Sequence, residues 1–265
     1  MIPNRILNCE ALAGLGVLPP ASVPLTVTSP KWDDAREYGG HDFEWKSVAD
    51  ELWRVTTAGG VVCWHYQDQI IKETGSESCT SAEQKLYFVR ELGFRLYQTL
   101  TVLTWNYRVF PRRYYRWAST VFVLTKGRPT TVNLMKDRPN KHAGKHRQAD
   151  MRFPNGYVAR RKQTVIAEHG YRGDVWAYKV GGNRTAEEGY AHDHPALMPE
   201  ALARDLILSF SDPGDLVLDI CAGAGTTCKM ALLTGRRYLG FEPWDFAYGL
   251  AQRRMADAHR KLVQE

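Results

Sequence analysis

Apolar positions recur along the chain in two alternating rhythms, short β-branched runs and stretches of helical spacing, which is the pattern of an α/β protein. After the Pro19-Pro20 turn, Pro24–Thr28 (PLTVT) reads as a strand that ends at Ser29-Pro30. Trp45, Val48, Ala49 and Leu52 follow at helical spacing, and Gly59-Gly60 is expected to stop that helix before an apolar strand, Val61–Trp64. A further strand–helix–strand step is expected next: a helix over Ala82–Leu92 with Gly93 just past its end, then strands over Tyr97–Leu103 and Thr120–Leu124. Residues 126–175, rich in Gly and Pro, read as an insertion or loop-rich subdomain. Regular patterning returns where Pro199, at a first helical position, precedes Leu202, Leu206, Ile207 and Phe210. Asp212-Pro213-Gly214 then turns the chain into the strand Leu216–Leu218.

Composition changes this picture little. With 265 residues, 44% apolar and 24% charged, the chain is expected to bury an ordinary core, which excludes disorder, collagen and a disulfide scaffold. Without an eighteen-residue apolar window or the apolar segment of a signal peptide in Met1–Glu10, the expected location is the cytoplasm. Cys9, Cys63, Cys79, Cys221 and Cys228 are odd in number, scattered and free of CxxC pairs, so free thiols and no metal are expected.

Charge changes it more. The net +6 is localised: from Arg108 to Lys162 fifteen Lys and Arg stand against Asp137 and Asp150, a net +13 that leaves −7 for the rest. A basic block in an acidic remainder suits a polyanion surface, although a solvated basic loop has the same composition. Interleaved Tyr114, Tyr115, Trp117, Phe153 and Tyr157 add stacking capacity and tilt the reading towards nucleic acid. His142 and His146 lie four apart, as on one helix face, but inside this basic run. Trp105 and Trp176 read as core or scaffold for the inserted segment.

The most informative stretch is Leu216–Glu242, LVLDICAGAGTTCKMALLTGRRYLGFE: a strand, a glycine loop, a helix and a second strand. Asp219 closes the first strand, Gly223 and Gly225 permit a tight turn beside a ligand, and Thr226 or Thr227 is expected to cap the helix. Glu242 ends the second strand, where an acid can accept both ribose hydroxyls of a nucleoside. The loop lacks the third glycine of a dinucleotide fingerprint and the Lys-Ser/Thr of a P-loop, so an adenosyl group suits it better than a pyrophosphate.

Asp219–Thr227 (DICAGAGTT) resembles the DPFxGSGTT motif of the S-adenosylmethionine-dependent DNA amino-methyltransferases, which modify N6 of adenine or N4 of cytosine. His194-Pro195-Ala-Leu-Met-Pro199-Glu200-Ala-Leu202 and Pro213–Asp219 are similar to their HPTxKPExL helix and PGDxVLD strand. Thr28-Ser29-Pro30-Lys31-Trp32 looks like their TSPPY/W catalytic motif, and Asn8-Cys9 stands where many carry Gly-Asp-Cys. Trp53-Arg-Val before Gly59-Gly60 and Lys136-Asp-Arg-Pro-Asn-Lys141 are similar to orphan bacterial and phage enzymes of this type. The order of catalytic motif, basic segment and cofactor motif matches the family's β group, and the resemblance covers nearly the whole chain.

The resemblance implies a doubly wound, Rossmann-like α/β methyltransferase sheet with a catalytic half at 1–127, a basic target-recognition insertion at 128–175 and a cofactor-binding half at 176–265. It implies that Ser29 and the Pro30 carbonyl accept the amino hydrogens of a flipped base, that Trp32 stacks on that base, and that Lys31 stands beside them. S-adenosylmethionine would contact Asn8, Cys9, Thr28, His194, Pro195, Asp219, Cys221, Ala222, Gly223, Gly225, Thr226, Thr227, Glu242, Pro243 and Trp244. Arg138, Lys141, Lys145, Arg147, Arg160, Arg161 and Lys162 would face double-stranded DNA, and a homodimer fits the β group. The chain departs from the pattern at Lys31 for the second proline, Ile220-Cys221-Ala222 for Pro-Phe-x, Asn8 for an acid and Met198 for a lysine. A binding protein that lost turnover through Lys31 and an RNA amino-methyltransferase stay open as alternatives, and Ser29 leans the base towards cytosine.

Overall fold

The computed structural model describes residues 3–33, 39–41, 43–105, 112–147, 150–159 and 163–264. In chain order the first elements are β1 (Arg5–Leu7), α1 (Ala11–Gly16), β2 (Val23–Thr28), α2 (Trp45–Val55), β3 (Thr56–Tyr66), α3 (Thr80–Leu86), β4 (Arg95–Thr104) and β5 (Ala118–Thr125). Short strands follow: β6 (Arg138–Pro139), β7 (His146–Arg147), β8 (Met151–Arg152), β9 (Val158–Ala159), β10 (Thr164–Val165) and β11 (His169–Gly170). The chain ends with β12 (Val175–Tyr178), α4 (Glu200–Phe210), β13 (Leu216–Asp219), α5 (Thr226–Leu233), β14 (Arg237–Phe241) and α6 (Asp245–Gln264).

Met1–Asn133 and Val175–Glu265 form one compact unit, and Leu134–Asp174 a second. The first is built on an 8-stranded sheet in the order β1-β14-β13-β2-β3-β5-β4-β12. Its strands are parallel except β5, which runs antiparallel to both β3 and β4. One face packs Val62, Trp64 and Tyr66 of β3 against Leu15 of α1 and Val48, Ala49, Leu52 and Val55 of α2. Intervening residues such as Leu25, Val27, Cys63 and Val217 are buried as well, as expected where both faces of a parallel sheet are covered. Each large aliphatic side chain withdrawn from water this way contributes about 1.5–3 kcal/mol.

Two boundaries differ from the sequence pattern. Helix α2 stops at Val55, because Thr56 turns extended and its hydroxyl donates to the Leu52 carbonyl at 2.6 Å. Gly59-Gly60 therefore lies inside β3, where the register with β2 jumps from Val23–Thr56 to Leu25–Val61. Gly59 has φ +77°, and a Cβ there would sit 2.1 Å from Thr130 Oγ1, so only glycine lets the 126–130 turn close against it. Pro24 falls at the same irregularity, where the ladder does not need its missing N–H. The expected helix over Ala82–Leu92 is α3 followed by a π-helical turn, Tyr87–Glu91. Pro199 stands one position before α4 rather than within it. Trp176 is buried, but Trp105, just past the end of β4, is 45% exposed and belongs to no core.

The second unit consists of three antiparallel two-stranded ladders, β6 with β11, β7 with β10 and β8 with β9. His142 falls in a turn and His146 in β7, so the two share no helix face. No helix among the described residues is long and apolar enough to cross a membrane.

Candidate active site

The chain leaves β2 towards β3 and leaves β13 towards β14, in opposite directions across the sheet, although β2 and β13 are neighbours. Such a switch point opens a crevice beyond the carboxyl ends of the two strands. Here those ends are Thr28 and Asp219, and the Thr28 hydroxyl donates to Asp219 Oδ1 at 2.8 Å. The Cys221 amide donates to the same oxygen at 3.1 Å. Burial raises the Asp219 carboxyl to about 6, against the lowering effect of these donors.

The glycine loop follows Asp219. Gly223 (φ +51°) puts its N–H on Glu242 Oε2 at 2.7 Å, and a Cβ at this position would press to 3.2 Å from the His194 ring. Trp244 N–H donates to Glu242 Oε1 at 3.0 Å. Burial raises the Glu242 carboxyl as well, with the Trp244 and Gly223 amides pulling the other way. Each oxygen keeps a lone pair for a further donor, so Glu242 can accept two ligand hydroxyls. Helix α5 starts without a side-chain cap: Thr226 and Thr227 are its first two residues, and Gly225 precedes them in the left-handed region. Thr226 Oγ1 is taken instead by Arg254, at 3.0 Å.

Ser29, Pro30, Lys31 and Trp32 line the same cleft as Asp219 and Glu242. Their loop is fixed from behind. Trp32 Nε1 donates to the His65 carbonyl at 3.2 Å, the Tyr66 hydroxyl donates to Asp33 Oδ1 at 2.9 Å, and Ser78 Oγ donates to Asp33 Oδ2 at 2.7 Å. Trp32 thus packs against the core with part of its ring and faces the cleft with the rest.

His194, Cys221, Ala222, Gly223, Thr226, Thr227 and Pro243 join the lining, as the motif reading expects of them. Six expected contacts stand back from it. Asn8 donates to Asp245 at 2.5 Å, Cys9 packs on the apolar core, Thr28 supports Asp219 from behind, and Gly225 packs against Ala251. Trp244 lies 6.0 Å from the His194 ring, and Pro195 is not part of the lining. The motifs did not single out Glu10, His41, Phe43 or His65, all of which line the cleft, and Met198, noted only as a departure from the family's lysine, lines it too. Glu10 and His41 pair at 2.7 Å. Only the place of Glu10 next to Asn8-Cys9 and of Met198 inside the proline-bounded motif hinted at them.

Two buried carboxylates and a close-packed glycine turn in a mostly apolar cleft suit a ligand that is cationic and carries hydroxyls. That chemistry fits S-adenosylmethionine. Among the described residues, no three His, Cys, Asp or Glu side chains gather as a metal-binding set.

Behind the glycine loop lies a buried charge network. Arg254 and Lys229 are fully buried. Arg254 pairs with Glu188 at 3.1 Å and Glu200 at 2.5 Å, Lys229 pairs with Glu188 at 2.5 Å and Glu200 at 2.7 Å, and Arg254 also donates to the Ala224 carbonyl at 2.8 Å. Of its members only Glu200 falls inside a motif, and nothing in the sequence joins it to Glu188, Lys229 and Arg254, which come from separate segments.

In the second unit Arg138, Lys141, Lys145 and Arg147 are exposed. Arg138 Nε donates to the Tyr171 carbonyl at 3.0 Å, and Asp137 is neutralised by Arg172. Arg160, Arg161 and Lys162 lie outside the described residues.

The family model for N6/N4 methyltransferases, described as DNA methylase, matches residues 21–252. The orphan methyltransferase M.BamHII of Bacillus amyloliquefaciens is 42% identical over 226 residues, which cover 83% of this chain and 84% of that protein. Among solved structures, the cytosine-N4-specific PvuII DNA methyltransferase superposes with a TM-score of 0.68 at 17% identity, covering 98% of this chain and 92% of its own. A Thermus thermophilus protein solved in complex with S-adenosyl-L-methionine follows at 0.63 and 24%, covering 96% of this chain and 95% of its own. At these identities the two superpositions speak for the mixed α/β fold.

Proposed function

We propose, for a chain that belongs to the N6/N4 DNA methylase family, that the cleft at the β2–β13 switch point methylates the exocyclic amino group of a base flipped out of double-stranded DNA. The family is that of S-adenosylmethionine-dependent DNA amino-methyltransferases. The observation that carries the assignment of residues is the Thr28–Asp219 hydrogen bond, which joins the start of the Ser29–Trp32 motif to the start of the glycine loop behind the cleft that both segments line.

Bound S-adenosylmethionine supplies an electrophilic methyl group. Glu242 accepts its hydroxyls, while Asp219, Cys221 and Ala222 line the space beside them. The amino nitrogen of cytosine or adenine is a poor nucleophile because its lone pair is conjugated with the ring. Ser29 Oγ and the Pro30 carbonyl accept its two hydrogens and thereby turn the lone pair towards the methyl group. Trp32, held by the His65 carbonyl, offers a stacking face to the base. Lys31 adds a cation to this wall where the family pattern carries a second proline.

Ser29→Ala is expected to slow single-turnover methylation about tenfold while leaving affinity for S-adenosylmethionine unchanged, since one hydrogen bond that matters most in the transition state is lost. Methylation-sensitive sequencing of DNA treated with the wild-type protein tests the reading itself. It reports base and site together, and absence of any methylated DNA would overturn the assignment.

The exposed cations of residues 134–174 are read as phosphate contacts. DNA affinity is expected to fall steeply with salt. Replacing Lys141, Lys145 and Arg147 by Ala should shallow the slope of log affinity against log salt by about one unit for each phosphate no longer neutralised. An unchanged slope, measured by fluorescence anisotropy on duplex DNA, would leave these residues as a solvated surface.

A further inference from the structure

Among the described residues, only one buried side-chain nitrogen has no hydrogen-bond partner: Nδ1 of His65. The residue is 4% exposed and lines the active-site cleft. It stands near the carboxyl end of β3, on the far side of β2 from the glycine loop of β13, so the sheet order places it on the substrate side rather than the cofactor side. Its ring meets Trp32 edge to face at 5.2 Å, and its Nε2 lies 2.7 Å from Ser119 Oγ.

Counting hydrogen-bond partners favours one position for the ring proton. Burial lowers the imidazole to about 4, so at neutral pH the ring is uncharged and holds a single proton. The Ser119 hydroxyl has His65 as its hydrogen-bond partner. If Nε2 held the proton, both the serine hydrogen and the Nδ1 lone pair would be buried without partners. If the serine hydroxyl donates to Nε2, one group alone is left over, the Nδ1 N–H. The favoured tautomer therefore leaves an unpartnered, desolvated donor on a residue that lines the cleft, and an acceptor entering with the substrate would satisfy it.

We infer that His65 is a specificity-determining residue that donates from Nδ1 to the ring nitrogen adjacent to the amino group being methylated, N3 of cytosine or N1 of adenine. The inference rests on the methyl-transfer reading above. Both bases present an unprotonated ring nitrogen at that position, while thymine presents an N3–H donor that would meet the His65 donor head on. His65 thus checks the same edge whose amino hydrogens Ser29 and Pro30 accept, and the three contacts together define an amino group next to a ring acceptor.

The test couples a protein change to a substrate change. The substrate is a duplex carrying the site that sequencing identifies, and a second duplex has the target ring nitrogen replaced by C–H, as 3-deazacytosine or 1-deazaadenine. On the first duplex His65→Leu is expected to lower kcat/KM about tenfold, with S-adenosylmethionine affinity by calorimetry unchanged, and His65→Asn, which keeps an N–H donor, to recover part of the loss. On the deaza duplex the wild type should lose the same factor and His65→Leu should add nothing. Equal losses on both duplexes, or a wild type indifferent to the deaza base, overturn the inference and leave the methyl-transfer reading standing. If His65→Leu fails to bind cofactor, the wild-type comparison of the two duplexes decides alone. A wild type that methylates no DNA overturns both readings.

Discussion

Arg254→Leu is expected to destabilise the protein by about 3–5 kcal/mol, because removing one member of a buried ion-pair network leaves the remaining charges uncompensated. Arg254 is fully buried and serves Glu188, Glu200, the Ala224 carbonyl and Thr226 Oγ1 at once. Leucine matches part of its volume but satisfies none of these acceptors. The last two contacts belong to the glycine loop and to the start of α5, so cofactor affinity should fall together with stability. Urea unfolding gives the first quantity and calorimetric titration the second. The network also sets an acid limit. Burial alone would raise the Glu188 carboxyl, but the hydrogen bond from Lys229 and the charges of Arg254 and Lys229 outweigh it and hold the group below the ordinary value. A carboxyl lowered on folding contributes stability that is present above its unfolded pKa and lost as pH falls through the folded one. Wild-type stability should therefore decline below the usual carboxylate range, and the decline should be shallower in Arg254→Leu. A variant as stable as the wild type would make the network dispensable.

Glu242→Ala is expected to weaken S-adenosylmethionine binding by about 2–3 kcal/mol, the cost of losing hydrogen bonds to a charged acceptor in a buried site. The carboxylate also holds the Gly223 and Trp244 amides, so its removal loosens the loop that it faces. Calorimetry measures the loss, and unchanged affinity would move the hydroxyl contact elsewhere. The neighbouring Asp219 supplies a pH dependence. Its carboxyl is raised to about 6 by burial, so its favourable contribution to folding is complete below the unfolded value and disappears as pH rises through about 6. Binding of a cation prefers the ionised form, hence cofactor affinity should rise with pH across the same window. Asp219→Asn should flatten that rise, since the amide oxygen can still accept from Thr28 and Cys221 but carries no charge.

Local chemistry wrote much of this protein into its sequence. The β-branched run before Ser29, the apolar spacing of Trp45, Val48, Ala49 and Leu52, and the strand–loop–helix of Leu216–Leu233 each follow from periodicity and turn chemistry that neighbouring residues supply to one another. Glycines at 223 and 225 are legible for the same reason, because positive φ is a property of one residue. The sequence pattern misjudged Gly59, where glycine serves the distant turn around Thr130 rather than the end of the adjacent helix.

Tertiary structure decided what depends on segments far apart. Asp219 and Thr28 are separated by 191 positions and meet only because β13 and β2 are neighbours in the sheet. Asn8, expected beside the cofactor, turns instead to Asp245, a partner 237 positions away. Arg254 and Lys229 look in the sequence like ordinary helix-surface cations, and only the packing of α5 and α6 against Glu188 and Glu200 makes them buried. His65 sits in an apolar strand with no motif around it. Its unsatisfied nitrogen exists because Ser119 on an antiparallel neighbour occupies the other one, and the pairing of β3 with β5 is a choice that no local rhythm encodes.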